Sequence, residues 1–378
     1  MKLFDVYSLL DMEPVKAQGA YLWDKAGQEY LDFYGGHAVI SIGHTHPHYV
    51  EKISEQLSKI GFYSNAVINS LQVELAEKLG ALSGYDDYSL FLCNSGAEAN
   101  ENALKLASFT TGRERVLAMR SAFHGRTSLA VTVTDNPNIQ APVNKTDKVS
   151  FIPFNDAEAL RKELSSGKYA AVIVEPIQGV GGIQVATDEF MLAAREACDA
   201  TGTMLIADEI QAGYGRSGKF FSHQWSGVKA DIITLAKGIG NGFPIGAVMI
   251  SPSIPAKKGM LGTTFGGSHL ACAAAIAVAD VVKDENLVEN ARVMGEKIMT
   301  GITGVSGVKD IRGRGLIIGI DLSVPQADFR KVLREKHHIM TGLTGQYTLR
   351  LLPPLMIGQA EVDRFVEAFR ATAQEMGM

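Results

Sequence analysis

Residues 232–244 read Ile-Ile-Thr-Leu-Ala-Lys-Gly-Ile-Gly-Asn-Gly-Phe-Pro. An apolar run of strand length ends at Lys237 and passes at once into a glycine-rich loop. Strands that are buried on both faces of a parallel sheet have near-continuous apolar sequences of this kind. The stretch therefore predicts a parallel sheet covered by helices, with Lys237 at the carboxyl end of one strand.

The middle of the chain repeats this pattern of strand, polar loop and helix. We predict strands at 89–92, 115–119, 170–174, 204–207, 232–235 and 246–250, with helices at 97–109 and 190–200 among the segments between them. Such alternation predicts an α/β fold with a mostly parallel sheet. In these folds ligands bind beyond the carboxyl ends of the strands, and the motifs described below follow predicted strands.

The two ends of the chain have a different character. Short apolar pieces and turn residues up to Phe33 predict a small meander, and helical periodicity runs from about residue 49 to residue 80. Beyond residue 270 we predict an alanine-rich helix at 271–282, helices at 286–300 and 362–375, and strands at 315–322 and 347–352.

A chain of 378 residues is expected to form two domains. We place a large domain at residues 45–275, built on the parallel sheet, and a smaller α+β domain at residues 276–378. The N-terminal segment, residues 1–44, is expected to join the smaller domain.

The composition is that of an ordinary globular protein, with 46% hydrophobic and 20% charged residues. The formal net charge is −5 and no basic run is present, so a nucleic-acid or anionic-membrane partner is not expected. The first residues include an acid and lack a long apolar segment, which argues against a secretory signal. Apolar stretches elsewhere are too short to predict a membrane span, and we expect a cytoplasmic protein.

Cysteine and histidine residues do not predict a metal site. The chain has three cysteines without metal-ligand spacing, which we expect to be buried, reduced thiols: Cys93, Cys198 and Cys272. His44, His46 and His48 form a pattern that can suggest a metal site. Pro47 interrupts it and no cysteine lies near in sequence, so turn or substrate-domain histidines are the preferred interpretation and no metal is expected.

Lys237 and Asp208 each end a predicted strand, and these two residues indicate the chemistry of the protein. Burial disfavours the ammonium form of a lysine and leaves its amine available as a nucleophile. Residues 204–209 read Met-Leu-Ile-Ala-Asp-Glu, so Asp208 ends an apolar strand, although an acidic helix cap is the alternative for this residue. An enzyme that uses pyridoxal 5′-phosphate needs such a lysine and a carboxylate that keeps the pyridine nitrogen protonated. Gln211 can reach the phenolic oxygen of the same ring.

Residues 94–100, Asn-Ser-Gly-Ala-Glu-Ala-Asn, follow a predicted strand and begin a helix. The free N–H groups and partial positive charge of a helix N-terminus suit a phosphate. Ser95 can add a hydroxyl and Gly96 lets the backbone approach the anion, whereas the alternative is a plain N-cap at Ser95. The presence of Lys237 and Asp208 favours the phosphate interpretation.

Residues 123–126, Phe-His-Gly-Arg, follow the next predicted strand. The Phe123 ring can stack on a flat cofactor, and Arg126 can bind a carboxylate through two parallel hydrogen bonds. For the tetrapeptide alone, the alternative is a core phenylalanine beside a surface arginine.

In this order, these groups resemble the ω-aminotransferases, the class III enzymes of the pyridoxal phosphate-dependent fold type I superfamily. The likeness extends from Gly27 to Leu355 and is greatest for the acetylornithine aminotransferases. The segments that carry it are 94–100, 123–127 (Phe-His-Gly-Arg-Thr), 175–179 (Glu-Pro-Ile-Gln-Gly), 207–211 (Ala-Asp-Glu-Ile-Gln), 235–238 (Leu-Ala-Lys-Gly) and 264–267 (Thr-Phe-Gly-Gly).

The resemblance implies a role for each matching residue. Lys237 would bond to the cofactor and then move a proton to and from the substrate carbon, Asp208 would pair with the pyridinium, and Gln211 with the phenolate. Arg126 would bind the distal carboxylate of a substrate, and Arg350 the α-carboxylate of 2-oxoglutarate or glutamate. Further cofactor contacts would come from Ser95, Gly96, Ala97, Phe123, His124 and, from the neighbouring subunit of a homodimer, Thr264.

This sequence departs from the class at two places. Relatives usually carry a glutamate at the position of Val180, and that glutamate masks the equivalent of Arg350 while an ω-amine donor is bound. They also usually have Asn-Pro where this chain has Ser268-His269. The first difference concerns the choice of substrate, and the second leaves the catalysis untouched.

The activity implied by the resemblance is transfer of the terminal amine of N-acetylornithine, or of another N-acylornithine such as succinylornithine, to 2-oxoglutarate in arginine biosynthesis. Ornithine and 4-aminobutyrate aminotransferases are the alternatives within the class. A pyridoxal phosphate-dependent aminomutase or decarboxylase would share Lys237 and Asp208 but would not need both Arg126 and Arg350. A non-catalytic binding protein would have no use for a buried lysine opposite a carboxylate.

Overall fold

The computed structural model describes residues 1–378 and contains two seven-stranded sheets and a two-stranded ribbon. The strands are β1 (Pro14–Gln18), β2 (Tyr21–Asp24), β3 (Glu29–Phe33), β4 (Ser89–Cys93), β5 (Arg115–Met119), β6 (Val149–Ile152), β7 (Tyr169–Val174), β8 (Ile177–Gln178), β9 (Gln184–Val185), β10 (Met204–Asp208), β11 (Ile232–Leu235), β12 (Gly246–Ile250), β13 (Val308–Arg314), β14 (Ile317–Leu322), β15 (Ile339–Thr344) and β16 (Thr348–Leu351).

Helices cover the sheets and connect their strands. They are the four-residue turn α1 (Gly35–Ala38) and the helices α2 (Pro47–Lys59), α3 (Ser70–Ser83), α4 (Gly96–Thr111), α5 (Ser128–Thr132), α6 (Ala157–Leu164), α7 (Asp188–Thr201), α8 (His269–Asp284), α9 (Leu287–Ile302), α10 (Gln326–His337) and α11 (Gln359–Glu375). None of them combines the length and the apolar character needed to cross a membrane.

The central sheet has the strand order β4-β12-β11-β10-β7-β5-β6. Only β12 runs antiparallel to its neighbours, β11 and β4; the pairs from β11 to β6 are parallel. Every residue of β7 and of β11 is buried, as their continuous apolar sequences predict. The predicted α/β fold with a mostly parallel sheet is confirmed.

Two hydrophobic cores lie on the two faces of this sheet. Because side chains alternate along a strand, Val172 and Val174 belong to one core while Ala171 and Ile173 belong to the other. The first core is a cluster of 65 buried residues that also includes Phe365 of α11. One continuous core therefore connects the central sheet to the elements at the end of the chain.

The second sheet combines the two ends of the chain, in the order β1-β2-β3-β15-β16-β14-β13. Strand β3 pairs in parallel with β15, with Leu31 opposite Ile339, so the N-terminal strands complete a sheet that the C-terminal strands begin. The domain boundaries at residues 44/45 and 275/276 stay a prediction.

Several local features differ from the sequence-based prediction or refine it. The helical periodicity at residues 49–80 belongs to two helices, α2 and α3, with an irregular stretch between them. Strands β6, β13 and β15 and helices α6 and α10 were not predicted. Ser268 is the N-cap of α8 and accepts a hydrogen bond from the Ala271 N–H at 3.2 Å, which shows that Ser268-His269 begins this helix with a side-chain cap.

Candidate active site

A cavity of about 300 Å³ lies beyond the carboxyl ends of β4, β5, β7, β10 and β11. The position agrees with the general rule for open α/β sheets. Its wall includes eight of the predicted site residues: Gly96, Ala97, Phe123, His124, Arg126, Asp208, Gln211 and Lys237. The structure thus brings together residues that are up to 141 positions apart, from Gly96 to Lys237.

Lys237 follows β11 and starts a short 3₁₀ turn, Lys237–Ile239, with a left-handed φ of 51°. Its side chain reaches the cavity wall and is otherwise enclosed. Burial lowers the pKa of the amine to about 8, and the charges of Arg350 and Arg216 act in the same direction against the opposing carboxylates of Asp208 and Glu175. The amine is therefore far easier to deprotonate than that of a solvated lysine.

Asp208 is fixed by hydrogen bonds from two buried side chains. Its Oδ2 accepts a hydrogen bond from Asn100 Nδ2 at 2.8 Å and contacts His124 Nδ1 at 2.7 Å. Asn100, which has no role in the prediction, is held in turn, because its Oδ1 accepts a hydrogen bond from Thr234 Oγ1 at 2.8 Å. Although Asp208 also accepts a local hydrogen bond from the Ile210 N–H at 3.1 Å, these contacts make it more than a helix cap.

Contact with Asp208 raises the pKa of His124. Burial by itself would lower the pKa of His124, but the hydrogen bond to Asp208 and the charges of Asp208 and Glu175 outweigh burial and raise the pKa. A protonated imidazole donates a hydrogen bond through Nδ1 to the Asp208 carboxylate. His124 therefore contacts Asp208, the residue predicted to pair with the pyridinium.

Glu175 is a further buried carboxylate in the cavity wall. It accepts hydrogen bonds from the N–H groups of Phe123 at 2.8 Å and Gly179 at 3.2 Å. Burial, with the negative charge of Asp208, raises its pKa to about 7 against the effects of His124 and these hydrogen bonds. The signal that could have identified it is a glutamate directly after the wholly buried strand β7.

The beginning of α4 forms another part of the wall. Ser95 is its N-cap and accepts a hydrogen bond from the Glu98 N–H at 3.2 Å, so the plain-cap interpretation of Ser95 describes a contact that is present. Ser95 itself does not line the cavity, whereas Gly96 and Ala97 do. These two residues belong to the first helical turn, whose N–H groups have no acceptor within the helix.

Arg126 and Arg350 differ in their exposure. Arg126 is exposed on the cavity wall and forms no salt bridge. Arg350 is 4% exposed and does not line the cavity, but its Nη1 donates to the Gly179 carbonyl at 2.8 Å and its Nε has no partner. Burial lowers the pKa of Arg350. Val180, next to that carbonyl, reaches the cavity wall and leaves Arg350 without a carboxylate partner.

Thr264 lies apart from the cavity of its own chain. It occupies an exposed loop beside Phe265, which is 62% exposed and contacts the ring of Phe62 at a centroid distance of 5.3 Å. A contact of Thr264 with the cavity of another subunit stays a prediction.

The histidines at positions 44, 46 and 48 each contact a different carboxylate. His44 contacts Asp32 at 2.9 Å, His46 contacts Glu285 at 2.9 Å, and His48 contacts Asp280 at 3.3 Å. The three cysteines are free and buried.

The residues of the cavity fit pyridoxal 5′-phosphate. Two buried polar atoms on the wall, Gln211 Oε1 and His124 Nε2, have no hydrogen-bond partner in the chain, and such atoms are rare unless a ligand or water contacts them. Gln211 is fixed through its Nε2, which donates to the His37 carbonyl at 3.1 Å. The Asp208 carboxylate, the half-buried Phe123 ring, the Lys237 amine and the start of α4 supply the remaining complementary groups.

Known proteins resemble this chain over nearly its whole length. The family model described as aminotransferase class III matches residues 6–372. An acetylornithine aminotransferase of Methanosarcina mazei is 40% identical over 93% of this chain and 89% of its own, and one of Methanocaldococcus jannaschii is 40% identical over 96% and 94%. The crystal structure of ornithine aminotransferase from Toxoplasma gondii superposes with a TM-score of 0.93 at 30% identity, covering 99% of this chain and 93% of that one.

Proposed function

The chain belongs to the class III aminotransferases and uses pyridoxal 5′-phosphate, and on this basis we propose that it transfers the terminal amine of an N-acylornithine to 2-oxoglutarate in arginine biosynthesis. N-acetylornithine is the first candidate donor, because curated relatives at about 40% identity are named acetylornithine aminotransferases. The observation that supports the proposal is that Lys237, an amine of lowered pKa, lies near Arg126 and Arg350. Neither arginine forms a salt bridge with a carboxylate of the chain.

The catalytic work is divided among a few residues of the chain. Lys237 takes a proton from the substrate carbon and returns one, which its lowered pKa permits near neutral pH. Asp208, held by His124 and Asn100, would pair with the protonated ring nitrogen of the cofactor. When bound, the cofactor supplies a carbonyl group that accepts the amine and a ring that accepts electrons.

The two arginines account for two different substrates in one cavity. Arg126 binds the carboxylate that lies far from the reacting amine, and Arg350 binds the α-carboxylate of 2-oxoglutarate or glutamate. Donor and acceptor then use the cavity in turn, in a ping-pong mechanism. An aminomutase or decarboxylase has no need of this pair.

Val180 favours an N-acylated donor over free ornithine. Without a carboxylate to neutralise it, Arg350 adds to the positive charge of the site, which disfavours the additional α-ammonium of ornithine, whereas an acylated α-amine is neutral. The carboxylate of a succinyl group would in addition be attracted to Arg350.

The test is a coupled assay of the natural enzyme with four amino donors and 2-oxoglutarate as acceptor. We expect kcat/KM to be highest for acetylornithine or succinylornithine and lower for ornithine and 4-aminobutyrate. A preference for ornithine or 4-aminobutyrate would replace the proposed donor by one of the alternatives. A purified protein that binds no cofactor would contradict the proposal that it catalyses amine transfer.

We also propose that the working unit is a cytoplasmic homodimer with two shared sites. The apolar rings of Phe62 and Phe265 are exposed beside Thr264, as expected of a surface that a second copy covers. In a crystal structure of the holoenzyme, Thr264 should contact the cofactor phosphate of the neighbouring subunit. A fully active monomer would remove Thr264 from the site.

A further inference from the structure

Residues 40–43 lie between the loop that follows Lys237 and the chain that follows Arg350. This four-residue segment, Ile-Ser-Ile-Gly, follows the turn α1. We call it the strut. Its hydrogen bonds connect the two parts of the molecule on which the proposed function places the reacting carbon and the α-carboxylate of the acceptor.

Asn241 holds the strut to the loop of Lys237. Its Oδ1 accepts hydrogen bonds from the N–H groups of Ser41 at 2.8 Å and Ile42 at 3.2 Å, and its Nδ2 donates to the Gly43 carbonyl at 2.9 Å. The side chain is 5% exposed and its backbone φ is 46°, in the left-handed region. All hydrogen bonds of this amide therefore go to three successive residues of the strut.

Ser41 continues the connection on both sides. Its Oγ donates to the carbonyl of Gly238, the residue after Lys237, at 2.7 Å. Its own carbonyl accepts the N–H of Leu355 at 2.7 Å, four residues beyond strand β16, which carries Arg350. A single buried residue is thus hydrogen-bonded to the chain next to the lysine and to the chain that leaves the arginine.

Arg216, in the segment that follows strand β10, belongs to the same network. Its Nη1 donates to the Pro353 carbonyl at 2.8 Å and to the Leu316 carbonyl at 3.0 Å, and its Nη2 donates to the Ile40 carbonyl at 3.3 Å. It is 2% exposed and has no carboxylate partner, so its hydrogen bonds fix backbone rather than neutralise charge.

We propose that Asn241 is a positioning residue that acts through Ser41 to set the location of Arg350 relative to Lys237. The inference rests on the proposed function, in which a 2-oxoglutarate molecule contacts both groups at once. The donor is held by Arg126, which lies outside this network. Loosening the strut should therefore weaken the binding of the acceptor more than that of the donor.

The experiment compares Asn241→Gly with Asn155→Gly in the holoenzyme. Glycine keeps the left-handed backbone at both positions, and Asn155 (φ 65°) also joins two backbone groups, Val185 O at 3.0 Å and Thr187 N at 2.9 Å, neither of which lines the cavity. The measurements are the Kd for glutarate, an unreactive diacid, by calorimetry, the Kd for the cofactor, and the KM for each substrate.

We expect Asn241→Gly to raise the Kd for glutarate and the KM for the acceptor about tenfold, since misplacements of about 1 Å can cost on the order of 100-fold. The Kd for the cofactor and the KM for the donor should change less than about twofold. Asn155→Gly should change none of these values. Ser41→Ala removes only the hydrogen bond to Gly238 and should shift the same two constants in the same direction, which keeps the test available if Asn241→Gly does not fold.

Two outcomes would overturn the proposal: unchanged glutarate binding in both Asn241→Gly and Ser41→Ala, or equal losses for donor and acceptor. Failure of the proposed function is distinguishable from either. It would appear in the natural enzyme, as absence of amine transfer to 2-oxoglutarate, before any variant is compared.

Discussion

Replacing Val180 by glutamate should introduce a carboxylate that pairs with Arg350 and neutralises its charge. Val180 lies next to Gly179, whose carbonyl is the only hydrogen-bond partner of the Arg350 guanidinium, at 2.8 Å. Val180 is 42% exposed and contributes to the cavity wall, so a longer side chain has room there. A carboxylate at this position would compete with the α-carboxylate of the acceptor, 2-oxoglutarate, for Arg350.

The size of the effect follows from the strength of a partly solvated ion pair. Two unit charges 4 Å apart interact by about 4 kcal/mol at an effective dielectric constant of 20, whereas exposed pairs contribute at most about 1 kcal/mol. Because Arg350 is buried and Val180 is 42% exposed, an intermediate value of about 1.5 kcal/mol is appropriate. It corresponds to a rise of roughly tenfold in the KM for the acceptor.

The assay is steady-state kinetics of the natural enzyme, Val180→Glu and a control, Val143→Glu, which adds the same charge at a valine that is 88% exposed and outside the cavity. Masking should also reduce the preference for acylornithine over ornithine, because the free α-ammonium no longer meets an uncompensated arginine. If free ornithine is the best donor of the natural enzyme, or if Val180→Glu leaves the KM for the acceptor unchanged, the argument from Val180 is refuted.

Three further predictions concern Lys237 and Arg126. Lys237→Ala should reduce turnover by more than the ~10²–10⁴-fold contribution of a single acid–base group. The variant should still bind the cofactor in equilibrium dialysis, and substantial residual transamination would contradict the role of Lys237. Arg126→Lys should slow both half-reactions in single-turnover measurements, because lysine keeps the charge and loses the two parallel hydrogen bonds; damage to the acceptor half-reaction alone would argue against a shared carboxylate site. The rate at which cofactor-free enzyme takes up pyridoxal phosphate should rise with pH and level off above a pH of about 8, where the neutral amine of Lys237 predominates. An inflection near 10.5, the ordinary pKa of a lysine, would show that the pKa of this amine is not lowered by burial.

The part of the fold that the sequence predicts is the part that local pattern determines. The bounds of β5, β11 and β12 agree with the predicted strands at 115–119, 232–235 and 246–250, since each is a short and mostly apolar segment. Strand β13, by contrast, contains four charged residues in seven, Val-Lys-Asp-Ile-Arg-Gly-Arg. Its pairing with β14 comes from the neighbouring strand rather than from its own pattern.

Contacts between remote segments of the chain could not be predicted from local sequence pattern either. Each predicted cofactor residue belongs to a motif of a few positions, and eight of the predicted site residues line one cavity. The neighbours that fix these residues come from remote segments: Asn100 holds Asp208 across 108 positions, and Asn241 holds Ser41 across 200. A sequence indicates that an asparagine can donate and accept, but only the packed fold determines which groups lie within its reach.

The charges around the cavity explain why one site can serve two substrates. Asp208 is already matched by His124, whose pKa is raised, and Glu175 has a pKa raised to about 7, so it is only partly charged near neutral pH. Arg126 and Arg350 have no carboxylate partners in the chain, and the start of α4 adds partial positive charge. The negative charge that balances them has to come from ligands, as the phosphate of the cofactor and the carboxylates of donor and acceptor. Because the arginines are permanently charged and Lys237 is not, the site can bind anions throughout the neutral pH range while a fraction of Lys237, whose pKa is about 8, is the neutral amine needed for proton transfer.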